Sequence, residues 1–433
     1  MKKLVVFFLL MIPVLFFATD AFLIGDPLPD APDLAYRGEY SIGVRTVAVV
    51  NENQLDILHY AKDNPNPRYD RPLTLEIWYP AKIPEGRKEL GYYTAEYFRE
   101  GANVYSTVFQ GRALRNAMPI QGEFPLIIVS HGYPGTRYIM SYLTENLASK
   151  GYVVVAISHT ESTVSDQNQF FSTLLNRPLD ILFTLEQMTA FSQDAGHFLY
   201  GVVNTDITGL AGYSMGGYGI INVAGAGFSE AGVNLPWGVP GGKLEIRQSG
   251  NPEYEKTIDP RIKAVFAMAP WGAAFFWNEE AMEGLRIPSF FVVGEQDDVA
   301  GYENGVKLFF DRAVHAQRYL LTFENARHNV APNAYGPIPL ISFDMKSHDY
   351  LRYAEPSWDN QRLNNIVQHF ATAFFGVYLK NLDYSAYLDL IEYSNEGVWS
   401  QNDDGTFKED HTHWKGFPNR TALGMHLYQA NPE

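Results

Sequence analysis

The rhythm of apolar and polar positions changes at about residue 120. From residue 38 to 80 the two alternate, which predicts strands over 42–50 and 73–79 on either side of a polar, Pro-rich turn at 63–72. Alternation marks a sheet with one wet face, so these are expected to be antiparallel edge strands. Further on, short continuous apolar runs take over, at 126–129, 153–157, 207–211, 265–269, 290–293 and 319–323. Such runs suit parallel strands covered on both faces. Residues 138–150 and 216–224 between them have helical length, and 360–380 carry a helical pattern. Strands alternating with helices predict an α/β fold: a doubly wound, mostly parallel sheet with antiparallel N-terminal strands.

Two stretches exceed ordinary connections, 161–204 and the Gly- and Pro-punctuated 225–260. Each is a lid candidate, with peripheral decoration as the equal alternative. The extension 381–433, with Trp399, Phe407, Trp414 and Phe417, is expected to pack back on the rest. No repeat or Pro/Gly/Ser-rich linker divides the chain, so residues 22–433 are read as one domain with two insertions. Lys2 and Lys3 followed by the apolar run 4–18 have the layout of a secretory signal. Cleavage after Ala21 and export are expected, with a retained anchor as the alternative.

Composition narrows the function classes. At 46% hydrophobic and 19% charged residues the chain is globular, and its net charge of -16 repels phosphate backbones and anionic lipid. Nucleic acid is therefore not an expected partner, and membrane contact would come only through an uncleaved N-terminal segment. The absence of cysteine removes disulfides, thiolate metal sites, a lipoprotein anchor and a Cys nucleophile. His411 and His413 lack a partnered carboxylate pattern and are read as surface residues, so no metal is expected. The lone sequon at Asn419 carries little weight.

A nucleophile of another kind is offered by Gly212-Tyr213-Ser214-Met215-Gly216. As a bare G-x-S-x-G it is a weak signal; between a buried strand and a small-residue helix it is a strong one. The serine must sit in a sharp, strained turn, and only glycine leaves room two residues to either side. Ser130-His131-Gly132-Tyr133-Pro134-Gly135 follows an earlier strand and can form an oxyanion hole, with the N–H groups of Tyr133 and Met215 as donors. His131 is expected to brace that loop. After the strand at 290–293 the sequence offers Glu295, Asp297 and Asp298; Asp297 is the expected acid, with Asp298 and then Glu295 as alternatives. His328, in the loop past 319–323, completes the order Ser, Asp, His as the base. Trp271 is placed either in an acyl pocket or in the core.

With these residues in view the chain resembles the α/β-hydrolase superfamily, and within it the group of platelet-activating factor acetylhydrolases and predicted dienelactone hydrolases. The resemblance runs from about residue 38 to 380. It is carried by Leu-Glu-Ile-Trp-Tyr-Pro-Ala (75–81), Val-Ser-His-Gly-Tyr-Pro-Gly (129–135), Leu-Ala-Ser-Lys-Gly-Tyr-Val-Val (147–154), Arg-Pro-Leu-Asp-Ile (177–181) and Gly-Tyr-Ser-Met-Gly-Gly (212–217). Two departures matter. Acetylhydrolases of this type carry the acid after the strand that follows the nucleophile helix, where this chain has Met268-Ala-Pro-Trp-Gly and no carboxylate. The soluble bacterial dienelactone hydrolases use a cysteine, which is lacking here. Together the readings predict an exported, cofactor-independent serine hydrolase of carboxylic esters, acting on short-acyl or small ester or lactone substrates. The alternatives are a peptidase or amidase on the same fold, and a non-catalytic binding module.

Overall fold

The computed structural model describes residues 23, 25–100, 103–334 and 354–433; the expected signal or anchor, residues 1–21, lies outside them. The chain opens with the long antiparallel pair β1 (Ile42–Leu55) and β2 (Arg68–Lys82), followed by a separate hairpin, β3 (Gly91–Glu100) and β4 (Asn103–Gly111). Two short strands, β5 (Leu114–Arg115) and β6 (Met118–Pro119), pair with β1 and β2. The parallel strands are β7 (Phe124–Ser130), β8 (Val153–Ser158), β9 (Val203–Tyr213), β10 (Ile262–Met268), β11 (Ser289–Gly294) and β12 (Arg318–Phe323). A last strand, β13 (Met425–Ala430), closes the far edge antiparallel to β12.

Across the sheet the order is β13-β12-β11-β10-β9-β7-β8-β2-β1-β5. Every neighbouring pair from β8 to β12 is parallel, and β2 meets β8 antiparallel. Each strand predicted from an apolar run is present, its ends within four residues of the run, and β10 stops at Met268, one residue short of it. The continuous runs arise because both faces are covered. Leu126 and Ile128 of β7 point into one core and Ile127 and Val129 into the other, and Val153/Val155 and Val154/Ala156 of β8 divide in the same way.

Helices α1 (Ser141–Ser149), α2 (Phe170–Gln193) and α3 (Met215–Val223), with the C-terminal helix Asn360–Lys380, supply the covering. Leu174, Ile181 and Leu185 of α2 and Ile220 and Ile221 of α3 fill the first core. Leu143 and Leu147 of α1, with Phe370 and Phe374 of the C-terminal helix, fill the second. Each such side chain contributes about 1.5–3 kcal/mol by leaving water.

Helix α2 lies within the stretch expected as a lid or as decoration, and Pro178 stands inside it. Proline cannot donate to the carbonyl four residues back. Here Leu174 O accepts instead from the Tyr218 hydroxyl of α3, 3.0 Å away, so the helix continues. In the second insertion Phe228, Leu244 and Tyr254 are buried. Trp414 and Phe417 of the extension enter the second core, and the Trp414 indole donates to Ile391 O at 2.8 Å. Among the described residues no helix is long and apolar enough to cross a membrane.

The chain runs from β7 to β8 on one side and later returns to β9 on β7's other side. Such a switch in direction opens a crevice beyond the carboxyl ends of the strands, where open α/β sheets hold ligands. The loops after β7, β9, β11 and β12 all emerge there.

Candidate active site

Strand β9 ends at Tyr213 and α3 begins at Met215, so Ser214 alone makes the turn, at φ 53° and ψ -115°. A β-carbon at positive φ is strained by roughly 1–3 kcal/mol and persists only where the surroundings over-determine it. They do so here: Ser214 N–H donates to Met268 O at 2.9 Å, and Ser214 O accepts from Trp271 and Tyr218 N–H, each at 3.1 Å. The flanking glycines are sterically required. A Cβ on Gly212 would stand 2.6 Å from Gly216 O, and one on Gly216 would stand 1.9 Å from Ser130 O.

His328, in the loop past β12, turns Nε2 toward Ser214 Oγ at 3.0 Å. Its Nδ1 faces both Asp297 oxygens, at 3.0 and 2.9 Å, so the proton belongs on Nδ1 and Nε2 keeps a lone pair for the serine. Asp297 Oδ1 also accepts from the N–H groups of Val299 and Ala300, at 2.9 and 2.8 Å, which fixes the carboxylate plane. The two alternative acids point elsewhere. Asp298 pairs with Arg327 at 2.6 Å, both side chains 52% exposed, and Glu295 accepts from Asn325 N–H. Ser214, Asp297 and His328 are each buried.

The loop after β7 lies across from the serine. Gly132, Tyr133 and Pro134 line a cavity of about 390 Å³ together with Tyr213, Ser214, Val299, His328 and other residues. Met215 N–H is the first of α3 and has no acceptor within the helix, so it is open to a ligand, assisted by the helix dipole. His131 is buried, and burial, then the nearby Arg177 guanidinium, hold its pKa well below the usual value. The neutral ring makes one hydrogen bond from each nitrogen: Nδ1–H donates to Gly132 O at 2.6 Å, and Nε2 accepts from His159 N–H at 3.3 Å.

Trp271 is not among the described residues lining this cavity. It packs on Phe170 and Phe275 at ring separations of 5.5 and 5.6 Å. His411 stacks on Phe407 at 3.8 Å, whereas His413, expected at the surface, is buried with Nε2 3.1 Å from Pro418 O, and among the described residues no group of three or more His, Asp or Glu could hold a metal ion. The sequence reading passed over Tyr213, an unspecified position in the motif. Its hydroxyl reaches Asn329 Oδ1 at 3.2 Å and its ring lies 5.2 Å from that of His328, so it steadies the base from the strand that carries the nucleophile.

Known proteins resemble the chain in sequence and in fold. A family model described as platelet-activating factor acetylhydrolase, isoform II, matches residues 34–177. Cutinase est1 of Thermobifida alba is 24% identical over 208 residues, 48% of this chain and 54% of that protein. A putative phospholipase A2 of Schizosaccharomyces pombe is 34% identical over 95 residues, 21% of each chain. The chain thus spans about half the length of the Thermobifida cutinases it matches. A ferulic acid esterase from Streptomyces cinnamoneus shares the fold, with a TM-score of 0.52 at 18% identity over 83% of this chain and 93% of that one.

Proposed function

We propose that this chain, a member of the α/β-hydrolase superfamily, hydrolyses carboxylic esters through an acyl-enzyme on Ser214. The observation that carries the reading is the row Ser214 Oγ, His328 and Asp297, joined at 3.0 and 2.9 Å and opening on the cavity after β7. As Ser214 Oγ attacks the ester carbonyl, His328 Nε2 takes its proton, and Asp297 holds the ring in the Nδ1–H tautomer. The carbonyl oxygen becomes an oxyanion and is met by the N–H groups of Tyr133 and Met215. Collapse of the tetrahedral adduct breaks the C–O bond, and the leaving alcohol carries off the proton from Nε2. Water then attacks the acyl-enzyme with His328 again as base, releasing the acid and restoring Ser214. No step calls for a cofactor.

A cavity of about 390 Å³ suits a small or short-acyl ester. The names of the relatives, a cutinase and a ferulic acid esterase among them, support an ester substrate. The N-terminal signal pattern supports action outside the cytoplasm. The test is labelling of the full chain with a fluorophosphonate, the adduct mapped by peptide mass. Modification at Ser214, lost in Ser214→Ala and His328→Ala and kept in Ser385→Ala, is expected, together with turnover of p-nitrophenyl acetate. A folded chain that neither reacts at Ser214 nor hydrolyses the ester overturns the reading.

A further inference from the structure

Helix α2 sends a cation beneath the oxyanion loop. Arg177 is 1% exposed, and its stem crosses α3 at Gly219, where a Cβ would stand 2.6 Å from Arg177 Cγ. Nη1 donates to the carbonyl of His131 and, at 3.4 Å, to Ser130 Oγ. Nη2 donates to Ser162 Oγ and, at 3.4 Å, to the carbonyl of Gly132. The carboxylate one helical turn on is taken by other partners: Asp180 binds Arg71 at 2.7 and 3.0 Å and His159 at 2.9 Å. A buried guanidinium is thus given over to two successive peptide carbonyls.

Those carbonyls fix a direction on the other side of the loop. In a planar trans peptide the C=O and the N–H point opposite ways. Gly132 O is held from beneath by His131 Nδ1–H and by Arg177, so the N–H of the same peptide unit, that of Tyr133, is turned away from them and toward the cavity beside Ser214. Gly135 keeps the arrangement open, since a Cβ there would lie 2.5 Å from His131 Nδ1. A cation against the carbonyl also polarises the peptide, which strengthens the N–H as a donor.

We propose that Arg177 is a positioning residue that preorganises Tyr133 N–H as an oxyanion donor by holding the carbonyls of His131 and Gly132. The neighbouring row Ser130, His159 and Asp180, linked at 2.9 and 2.9 Å, has the order of a second triad. All three residues are buried and none lines the cavity beside Ser214, so the row serves as the frame behind this clamp.

The proposal rests on the ester-hydrolase reading, and the experiment separates the two. Arg177→Met and Arg177→Lys are made in the full chain, with folding checked by circular dichroism. Kinetics are measured on p-nitrophenyl acetate, and affinity is measured for phenylboronic acid, which forms a tetrahedral anionic adduct on an activated serine. Deleting an oxyanion donor outright costs 10²–10³ in kcat, so loosening one is expected to lower kcat roughly 10- to 100-fold in Arg177→Met with KM within about threefold. Boronate affinity should fall by a similar factor, and Arg177→Lys should recover part of both. A folded Arg177→Met that keeps its kcat, loses only KM, or binds boronate as the wild type does overturns the proposal. If neither Arg177 variant folds, Ser162→Ala decides: a kcat loss with KM unchanged supports the clamp, and an unchanged kcat overturns it. A wild-type chain inert to both ester and fluorophosphonate refutes the hydrolase reading itself, and the clamp with it.

Discussion

Two adjacent carboxylates, Asp297 and Asp298, differ in what they touch, and replacing each by asparagine separates them. In Asp297→Asn the two N–H groups of Val299 and Ala300 still demand an acceptor at the Oδ1 position, so the amide oxygen goes there. The amide NH₂ is thereby forced to the Oδ2 position, 2.9 Å from His328 Nδ1. Two donors cannot face one another, so the imidazole must move its proton to Nε2, where it confronts Ser214 Oγ and can no longer accept a proton. The loss of the correct tautomer is worth about ten-thousand-fold in kcat, or about 5.4 kcal/mol of barrier. Stability should stay within about 1 kcal/mol, because the exchange is isosteric and both backbone bonds survive. Asp298→Asn breaks only a half-exposed pair with Arg327. Such pairs contribute about 0–1 kcal/mol, so kcat should remain within about threefold. Steady-state hydrolysis of p-nitrophenyl acetate and the rate of fluorophosphonate uptake, read on the same folded samples, provide the test. Equal losses in the two variants, or more than a tenth of wild-type kcat in Asp297→Asn, would refute the reasoning.

Two further outcomes follow from packing and from burial. Gly216→Ala sets a Cβ 1.9 Å from Ser130 O and 3.0 Å from His131 O, both backbone atoms that cannot turn aside. The cost is about 3 kcal/mol, visible as a lower urea midpoint, and an unchanged midpoint would contradict the close approach of α3 to β7. Buried His131, His159 and His369 all bind protons more weakly than free imidazole (6.5), chiefly through burial, with His159 and His369 lowered to about 3. Below pH 6.5 the unfolded chain therefore takes up protons that the folded chain refuses. Stability that is full above that pH drains away as pH falls toward 3, by up to about 1.4 kcal/mol per pH unit for each histidine. Urea unfolding at pH 7, 6 and 5 should show midpoints that fall steadily, and a flat series would be the contrary result.

The parallel strands could be read from the sequence because burial on both faces writes itself as an uninterrupted apolar run. Where structure depends on a distant partner the signal fades. In β3 the neighbours Tyr92 and Tyr93 are the same residue type, yet the first is 53% exposed and the second fully buried, so composition conceals the alternation. Helix α2 contains Pro178, whose defect is repaired by a hydroxyl from α3. Strand β13, which includes His426 and Gln429, exists because β12 offers it an edge.

The same division runs through the candidate site. Ser214 and His328 stood out because each occupies a loop that directly follows a recognisable strand, and the chemistry of a nucleophile and a base narrows the residue type. Asp297 was the expected acid with Asp298 beside it as the first alternative, and the folded loop aims only Asp297 at His328. Arg177 stood in a stretch shared with a known family, but nothing local marked its role, since its partners lie 15 to 47 residues away in sequence. The strained turn at Ser214 shows why such distant partners matter. Its cost, roughly 1–3 kcal/mol, is matched by three hydrogen bonds of about 1 kcal/mol each, to Met268 at the end of β10, Trp271 beyond it and Tyr218 in α3. The nucleophile's angle is therefore held by β10 and α3 together, and the loop without a carboxylate after β10, which supplies no acid, acts on the site by clamping the serine's backbone.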